Sequence, residues 1–230
     1  MNKLQKKALM AVDLLEQAYP DAICSLEHDM EKPHELLMST RLSAQCTDAR
    51  VNIVTKELFQ KYKTIDDFAE ADLEELERIV HPCGLYKTKA RDLKNMAVML
   101  RDVYQGQVPD TIEELVKLPG VGRKTANLVV GDIYGKDSVV CDTHCIRITN
   151  LLGLSKGKDP YKVEMQLREI LPLDRSGDFC HRLVLHGRAV CVANRPQCDR
   201  CVLNVCCDHF AEPQKAQKKA KPKKDKAAAL

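Results

Sequence analysis

No tryptophan occurs in the sequence, and aromatic residues make up only 4% of it. No apolar run reaches the length of about 18 residues that a membrane-spanning helix requires. The N-terminus alternates lysines with apolar residues and lacks the apolar core of a secretory signal. These absences predict a soluble intracellular protein without a membrane partner.

Complete disulfide pairing within the chain is also not expected, because the 11 cysteines are an odd number. Without an export signal, most should be thiols or metal ligands. Four of them follow the spacing C-x6-C-x2-C-x5-C, namely Cys191, Cys198, Cys201 and Cys207. No histidine interrupts them, so the four thiolates can bind one metal centre. A zinc site is the alternative, although four-cysteine zinc sites usually contain two C-x2-C pairs rather than one.

Positive charge is concentrated at the C-terminus. The formal net charge is +3, but Ala211–Leu230 contains seven lysines against Glu212 and Asp225, so the preceding residues carry a net charge of −2. Binding of a polyanion therefore needs a local basic surface in addition to this tail. The tail is expected to be disordered. It either attracts phosphate or keeps the protein soluble.

The spacing of apolar residues is helical almost throughout and predicts an all-α fold. Helices are predicted at Leu4–Gln17, Pro33–Gln45, Asp48–Lys61, Asp72–Val80, Lys87–Tyr104, Arg123–Tyr134, His144–Leu151, Pro160–Leu171 and Asp178–Val190. Thr111 and Glu114 have the spacing of a capping box. The helix that they begin should end at Leu118, because a residue before proline resists helical geometry.

A tight hairpin is predicted between these segments. Pro119 fixes one φ angle, and the glycines of the following Gly-Val-Gly permit positive φ and close backbone approach. A helix then begins at Arg123, and its free N–H groups can bind an anion. Lys124 lies in the first turn, where the positive end of the helix disfavours a protonated amine. An anion site beside a nucleophilic amine suggests chemistry on a nucleic acid backbone.

These motifs together resemble the endonuclease III family of DNA glycosylases. The sequence LPGVGRKTA at Leu118–Ala126 resembles the family's helix-hairpin-helix with its lysine, and CDTH at Cys141–His144 resembles the motif with its aspartate. The cysteine spacing is that of the family's iron–sulfur motif. SAQCTD at Ser43–Asp48 and GLY at Gly84–Tyr86 also match family segments. The matches run in order from roughly residue 30 to residue 210.

The resemblance implies two helical lobes flanking a DNA-binding cleft. Residues 24–135 would form a six-helix domain with the helix-hairpin-helix at 111–134. Residues 1–23 and 136–210 would form the iron–sulfur cluster domain, and 211–230 the disordered basic tail. Lys124 would then face Asp142 across the cleft.

The resemblance also implies a bifunctional DNA glycosylase/AP lyase of base excision repair, which removes oxidised pyrimidines from duplex DNA and cleaves 3′ to the AP site by β-elimination. Lys124 would form the Schiff base, and Asp142 would accept its proton and stabilise a positively charged sugar. From the residues alone, Lys124 could instead contact a phosphate, and Asp142 could be a helix N-cap.

Further residues are expected to touch DNA. Gln45 and Leu85 resemble the family's wedge residues, which fill the space left by an extruded base. The other predicted DNA contacts are Gly120, Val121, Gly122, Arg123, His144 and Arg195. Arg195 is the only cation of the loop from Cys191 to Cys198, whereas enterobacterial relatives have more basic residues there.

The expected cofactor is a 4Fe–4S cluster, with Cys207 rather than Cys206 as the fourth ligand. The expected partner is double-stranded DNA that contains a damaged pyrimidine or an AP site. We expect a monomer that is cytoplasmic and associated with a bacterial-type nucleoid. Two alternatives remain: a monofunctional, adenine-type glycosylase and a non-catalytic, redox-sensing DNA-binding module.

Overall fold

The computed structural model describes residues 1–211, and within this range the chain is all-α, with no strand. This confirms the predicted fold class. The α-helices are α1 (Lys3–Ala18), α2 (Pro33–Leu42), α3 (Asp48–Lys61), α4 (Ile65–Glu70), α5 (Leu73–Val80), α6 (Tyr86–Asp102), α7 (Ile112–Leu115), α8 (Arg123–Asp132), α9 (Thr143–Leu152), α10 (Pro160–Arg168) and α11 (Ser176–Ala189). Short 3₁₀ turns occur at His81–Cys83, Leu173–Arg175, Cys198–Arg200 and Asn204–Cys206.

Three helices end three residues earlier than predicted: α2, α7 and α10, the last of which ends at Arg168 and not at Leu171. Helix α2 ends at Leu42, not at Gln45, because the chain turns there: the Cys46 amide donates to the Ser43 carbonyl over 3.0 Å. Helix α7 ends at Leu115 rather than Leu118. The next residues make 3₁₀-type bonds, including the Leu118 amide to the Leu115 carbonyl at 3.1 Å.

Helix α4 was not predicted, because six residues are too few for a clear helical period. It is set by its cap: the Thr64 hydroxyl accepts from the Asp67 amide, and the Asp67 carboxylate accepts from the Thr64 amide. The predicted capping box at Thr111 forms only in part. Its hydroxyl accepts from the Glu114 amide, but the Glu114 carboxylate binds Tyr104 and Lys117 instead.

The first of two compact units comprises Met1–Ala22, Cys141–Pro172 and the described residues from Phe179 onward. Helix α1 buries four apolar side chains completely: Ala8, Ala11, Val12 and Leu15. The end of α1 is fixed to α11, since the guanidinium of the buried Arg182 donates to the Tyr19 carbonyl at 3.2 Å. The N-terminal helix is thus an integral part of this unit.

The second unit comprises Ile23–Val140 and Leu173–Asp178. Helix α6 packs against α4 and α5, while α2 packs against α3, α6 and α8. Their facing side chains form a fully buried apolar core that includes Leu36, Leu37, Met38, Phe68, Leu76, Leu93 and Met96. The assignment of residues 24–135 and 1–23 plus 136–210 to functional domains stays a prediction.

The basic tail predicted at 211–230 lies outside the described residues, apart from Ala211. Among the residues that are described, no helix combines the length and hydropathy needed to cross a membrane.

Candidate functional site

The hairpin between α7 and α8 rests on a partly buried ion pair. Gly120 has φ +73°, and a Cβ at this position would lie 2.6 Å from Arg41 Nε and 2.9 Å from Asp92 Oδ2. Arg41 of α2 donates to that same Asp92 oxygen through Nε at 2.7 Å and through a terminal nitrogen at 2.6 Å. Only glycine therefore allows both the turn and the close approach at this position.

Helix α8 begins with an open N-terminus. Its N-cap is Gly122, which has no side chain to accept from the first amides. Val121 is 7% exposed, so its side chain anchors the hairpin in the core. The next side chain, Arg123, is half-buried, whereas Lys124 is exposed. The N–H groups at the start of a helix and its positive end make this a site for an anion.

The Lys124 amine has no hydrogen bond or ion pair with any residue between 1 and 211. It is therefore available to a substrate.

Asn127 is a further residue of α8 that the sequence interpretation did not single out. Its side chain is 1% exposed. The amide nitrogen donates to the Arg123 carbonyl at 3.1 Å, and the amide oxygen accepts from the Val139 amide at 3.0 Å. Asn127 thus fixes the first turn of α8 to the segment that follows the helix. An asparagine inside an apolar helix face is the signal that could have indicated this role.

Gln45 and Leu85 share an unusual backbone conformation. Three non-glycine residues between 1 and 211 have positive φ, and two of them are Gln45, at 56°, and Leu85, at 49°. Both side chains are exposed, and that of Leu85 is 57% accessible. A leucine whose backbone adopts the left-handed conformation is strained, and such strain concentrates at functional sites. Both residues belong to the second unit, as does the hairpin.

Asp142 is the N-cap of α9. One carboxylate oxygen accepts from the Cys145 amide at 2.7 Å. Asp142 makes no other side-chain hydrogen bond with the part of the chain that the structure describes. The carboxylate is half-buried.

His144 lies two residues further, on α9. Its ring packs so closely on α11 that a Cβ at Gly187 would lie 2.3 Å from His144 Nδ1. The Arg147 guanidinium lies 3.4 Å from the same nitrogen. His144 is therefore held within the first unit, on the same helix turn as Arg147.

The four predicted metal ligands all lie in the first unit, and all are half-buried. Burial raises the pKa of Cys198, and the neighbouring Cys191 and Cys207 raise it further. Burial likewise raises the pKa of Cys201, with further contributions from the other three sulfurs. The four thiols are thus close enough to interact. Arg195, in the loop between the first two, is exposed.

Hydrogen-bond donors lie beside two of these sulfurs. Arg147 donates to Cys191 Sγ at 3.4 Å, and His186 Nε2 lies 3.3 Å from Cys201 Sγ. Burial, and then Arg147, lowers the pKa of His186 to about 4, so the neutral ring carries one N–H near pH 7. The Tyr19 hydroxyl lies 3.1 Å from His186 Nδ1. A proton on Nε2 satisfies both contacts, with Tyr19 donating to Nδ1 and His186 donating to Cys201.

Within residues 1–211, no three His, Cys, Asp or Glu side chains converge closely enough to hold a single metal ion. The four thiols nevertheless interact, and hydrogen-bond donors lie beside Cys191 and Cys201, so the chemistry of this donor set suits a thiolate-bound metal centre.

An all-α chain with a glycine hairpin, an open helix start and a four-cysteine segment defines a helix-hairpin-helix protein of the DNA-repair class. Residues 38–173 match the HhH-GPD superfamily of base excision DNA repair proteins. The chain is 42% identical over 215 residues to the endonuclease III of Bacillus subtilis, covering 93% of this chain and 96% of that protein. It is 39% identical over 208 residues to that of Synechocystis, covering 90% and 94%. The chain belongs to the endonuclease III family.

Solved structures agree with this assignment. A trapped endonuclease III–DNA covalent intermediate superposes with a TM-score of 0.84 at 41% identity, covering 93% of this chain and all of that one. A non-covalent endonuclease III–DNA complex gives the same TM-score and identity, with 94% of this chain covered. A thermostable thymine-DNA glycosylase, at 22% identity and a TM-score of 0.78, shares the fold.

Proposed function

We propose that this protein is a DNA glycosylase and AP lyase of base excision repair, which removes oxidised pyrimidines from duplex DNA. The observation that carries the proposal is Lys124: an exposed amine without a partner in residues 1–211, in the first turn of a helix whose N-terminus is open to phosphate. Membership of the endonuclease III family supports the same reaction.

Lys124 is the proposed nucleophile. Its neutral amine attacks C1′ of the damaged nucleotide as the glycosidic C–N bond breaks, and the base leaves after taking up a proton. Loss of the ring oxygen from C1′ gives an iminium, which acidifies the C2′ proton. Removal of that proton expels the 3′-phosphate by β-elimination, and water then releases the lysine. No energy-supplying cofactor is needed.

Asp142 is the proposed electrostatic partner of this step. Its carboxylate accepts the proton that the attacking amine loses, and its charge stabilises the sugar as positive charge develops. The cap to Cys145 holds one carboxylate oxygen at a fixed position. Such an orientation favours catalysis because the group does not have to reorganise during the reaction.

The remaining proposed contacts serve DNA binding and base extrusion. The backbone from Gly120 to Gly122 and the side chain of Arg123 bind phosphate, and Gln45 and Leu85 fill the duplex when the damaged base leaves the stack. His144 and Arg195 would add contacts from the first unit.

Cys191, Cys198, Cys201 and Cys207 are proposed to hold a 4Fe–4S cluster. Cys207 is preferred to Cys206 because Cys198 and Cys201 both interact with Cys191 and Cys207. Bound there, the cluster would cross-link the segment from 191 to 207 and hold its loop against DNA. The protein would act as a monomer at the bacterial nucleoid, where its substrate is found.

Borohydride trapping tests this function. A duplex with one thymine glycol is incubated with the protein and reduced, which converts a transient Schiff base into a permanent crosslink. Wild type should crosslink, and Lys124→Ala should not. Lys124→Arg is the sharper variant, because it keeps the positive charge but cannot form the Schiff base. Lys117→Ala removes a neighbouring lysine that pairs with Glu114 and should crosslink normally.

The other results each reject a part of the proposal. Base release by wild type without a crosslink would identify a monofunctional glycosylase and reduce Lys124 to a phosphate contact. Tight binding without either product would identify a DNA-binding module.

A further inference from the structure

Lys89 of α6 is a buried lysine to which the proposed chemistry gives no role. Its side chain is 0% exposed. The ammonium donates to two main-chain carbonyls, that of Leu42 at 2.8 Å and that of Cys83 at 2.9 Å. Neither acceptor is a carboxylate, so the charge is stabilised by carbonyl oxygens alone. A buried ammonium is costly, and a purely structural site would be better filled by an apolar side chain.

The two carbonyls belong to the ends of different elements. Leu42 is the last residue of α2, where the final carbonyls have no partner within the helix and the helix end is negative. Cys83 is the last residue of the 3₁₀ turn that precedes α6. One ammonium therefore links two chain segments that are far apart in sequence.

Each linked carbonyl lies just before one of the strained, exposed residues. Leu42 precedes Gln45 by three residues, and Cys83 precedes Leu85 by two. The thiols of Cys46 and Cys83, which belong to the same two loops, are also close enough to interact. Burial, together with the nearby Cys46, raises the pKa of Cys83 to about 11, so the Cys83 thiol is neutral near pH 7.

We infer that Lys89 is a positioning residue that sets the distance between the Gln45 and Leu85 loops, so that both side chains enter the duplex together when a base is extruded. The inference rests on the proposed function. A rigid link is needed because a left-handed backbone at both positions persists only when its surroundings hold it. Without the link, each loop can relax independently, and the two side chains no longer match the spacing of the gap in the base stack.

This role predicts a split between two reactions of the same protein. Removal of thymine glycol from duplex DNA requires base extrusion, so Lys89→Met should lower its single-turnover rate by about tenfold or more. Strand cleavage at an AP site in single-stranded DNA requires no extrusion and leaves no opposite base. Its rate, and borohydride trapping on that strand, should change by no more than about twofold.

Lys94→Met is the matched control. Lys94 lies on the same helix, and its ammonium also donates to a main-chain carbonyl, that of Ala71 at 2.6 Å, between α4 and α5. This variant loses a comparable lysine–carbonyl bond without touching either loop, so its duplex and single-strand rates should keep the wild-type ratio. If Lys89→Met does not fold, Lys89→Gln and Lys94→Gln replace the pair, because glutamine keeps a donor but cannot reach both carbonyls.

A fluorescent base provides a direct readout. With 2-aminopurine opposite the lesion, wild type and Lys94→Met should raise the fluorescence as the base is unstacked, and Lys89→Met should raise it less. Equal losses of both reactions in Lys89→Met, with a normal fluorescence rise, would overturn the inference and leave Lys89 a structural residue. Failure of wild type on both substrates would instead reject the proposed function.

Discussion

Asp142 combines two roles that substitutions can separate. Its carboxylate caps α9 by accepting from the Cys145 amide, and its negative charge is proposed to assist Lys124. Asparagine caps helices about as well as aspartate but carries no charge. Alanine neither caps the helix nor carries a charge. At the residue scale, cap and charge therefore predict different outcomes.

We expect Asp142→Asn to keep wild-type stability and Asp142→Ala to lose about 1 kcal/mol. Both should lower single-turnover base removal by about 10²- to 10⁴-fold, since both lack the proton acceptor. Thermal unfolding measures the stability of wild type and of the two variants, and excision assays measure their rates of base removal. Full activity in Asp142→Asn would mean that the aspartate serves only as a cap.

The helix-hairpin-helix is a short element whose shape depends on residues outside it. Its first helix, α7, has four residues, too few to be stable alone. Arg41 and Asp92, from α2 and α6, support the turn directly beneath Gly120. The element that presents Lys124 is thus positioned by the helices below it.

At this scale, Gly120→Ala should be strongly disruptive. The left-handed backbone would cost about 1–2 kcal/mol, and the new methyl group would push Arg41 away from Asp92. We expect lower stability and weaker DNA binding, measured by thermal unfolding and by fluorescence anisotropy.

Gly122→Ala is the stability control for this change. Its Cβ would have no neighbour within 4 Å, and its φ is −97°. It should therefore be the more stable of the two variants. If both unfold at the same temperature, the contact of Gly120 with the ion pair does not hold the hairpin.

For the whole molecule, net charge does not by itself explain DNA binding, because the residues before the C-terminal lysines carry a net negative charge. Phosphate binding therefore depends on local groups, such as the open start of α8. Each phosphate contact releases counterions, so affinity should fall as salt rises.

Raising salt from about 50 to 200 mM should weaken binding to an undamaged duplex by at least about tenfold, with a linear dependence of log K on log salt. The full chain and a chain ending at Ala211 are compared by anisotropy. A smaller slope for the shorter chain would assign phosphate contacts to the tail, and equal slopes would make it a solubilising segment. A flat response of the full chain would contradict binding through phosphates.

The sequence by itself determined the features that depend on local spacing. The apolar period specified most helices, the glycines of LPGVGRKTA specified the turn, and four cysteines at fixed intervals specified a candidate cluster, because each signal arises from neighbours along the chain. Helix α4 and the true end of α2 were missed, since a six-residue helix and a turn after Leu42 leave little periodic signal.

Only the tertiary structure decided which distant residues meet. It placed the Arg41–Asp92 pair under Gly120, the Asn127 side chain between Arg123 and Val139, and the Lys89 ammonium between Leu42 and Cys83. It also held Gln45 and Leu85 in left-handed conformations that their residue types disfavour. Such contacts join residues that only packing brings together, and strain of this kind persists only where packing compensates for it.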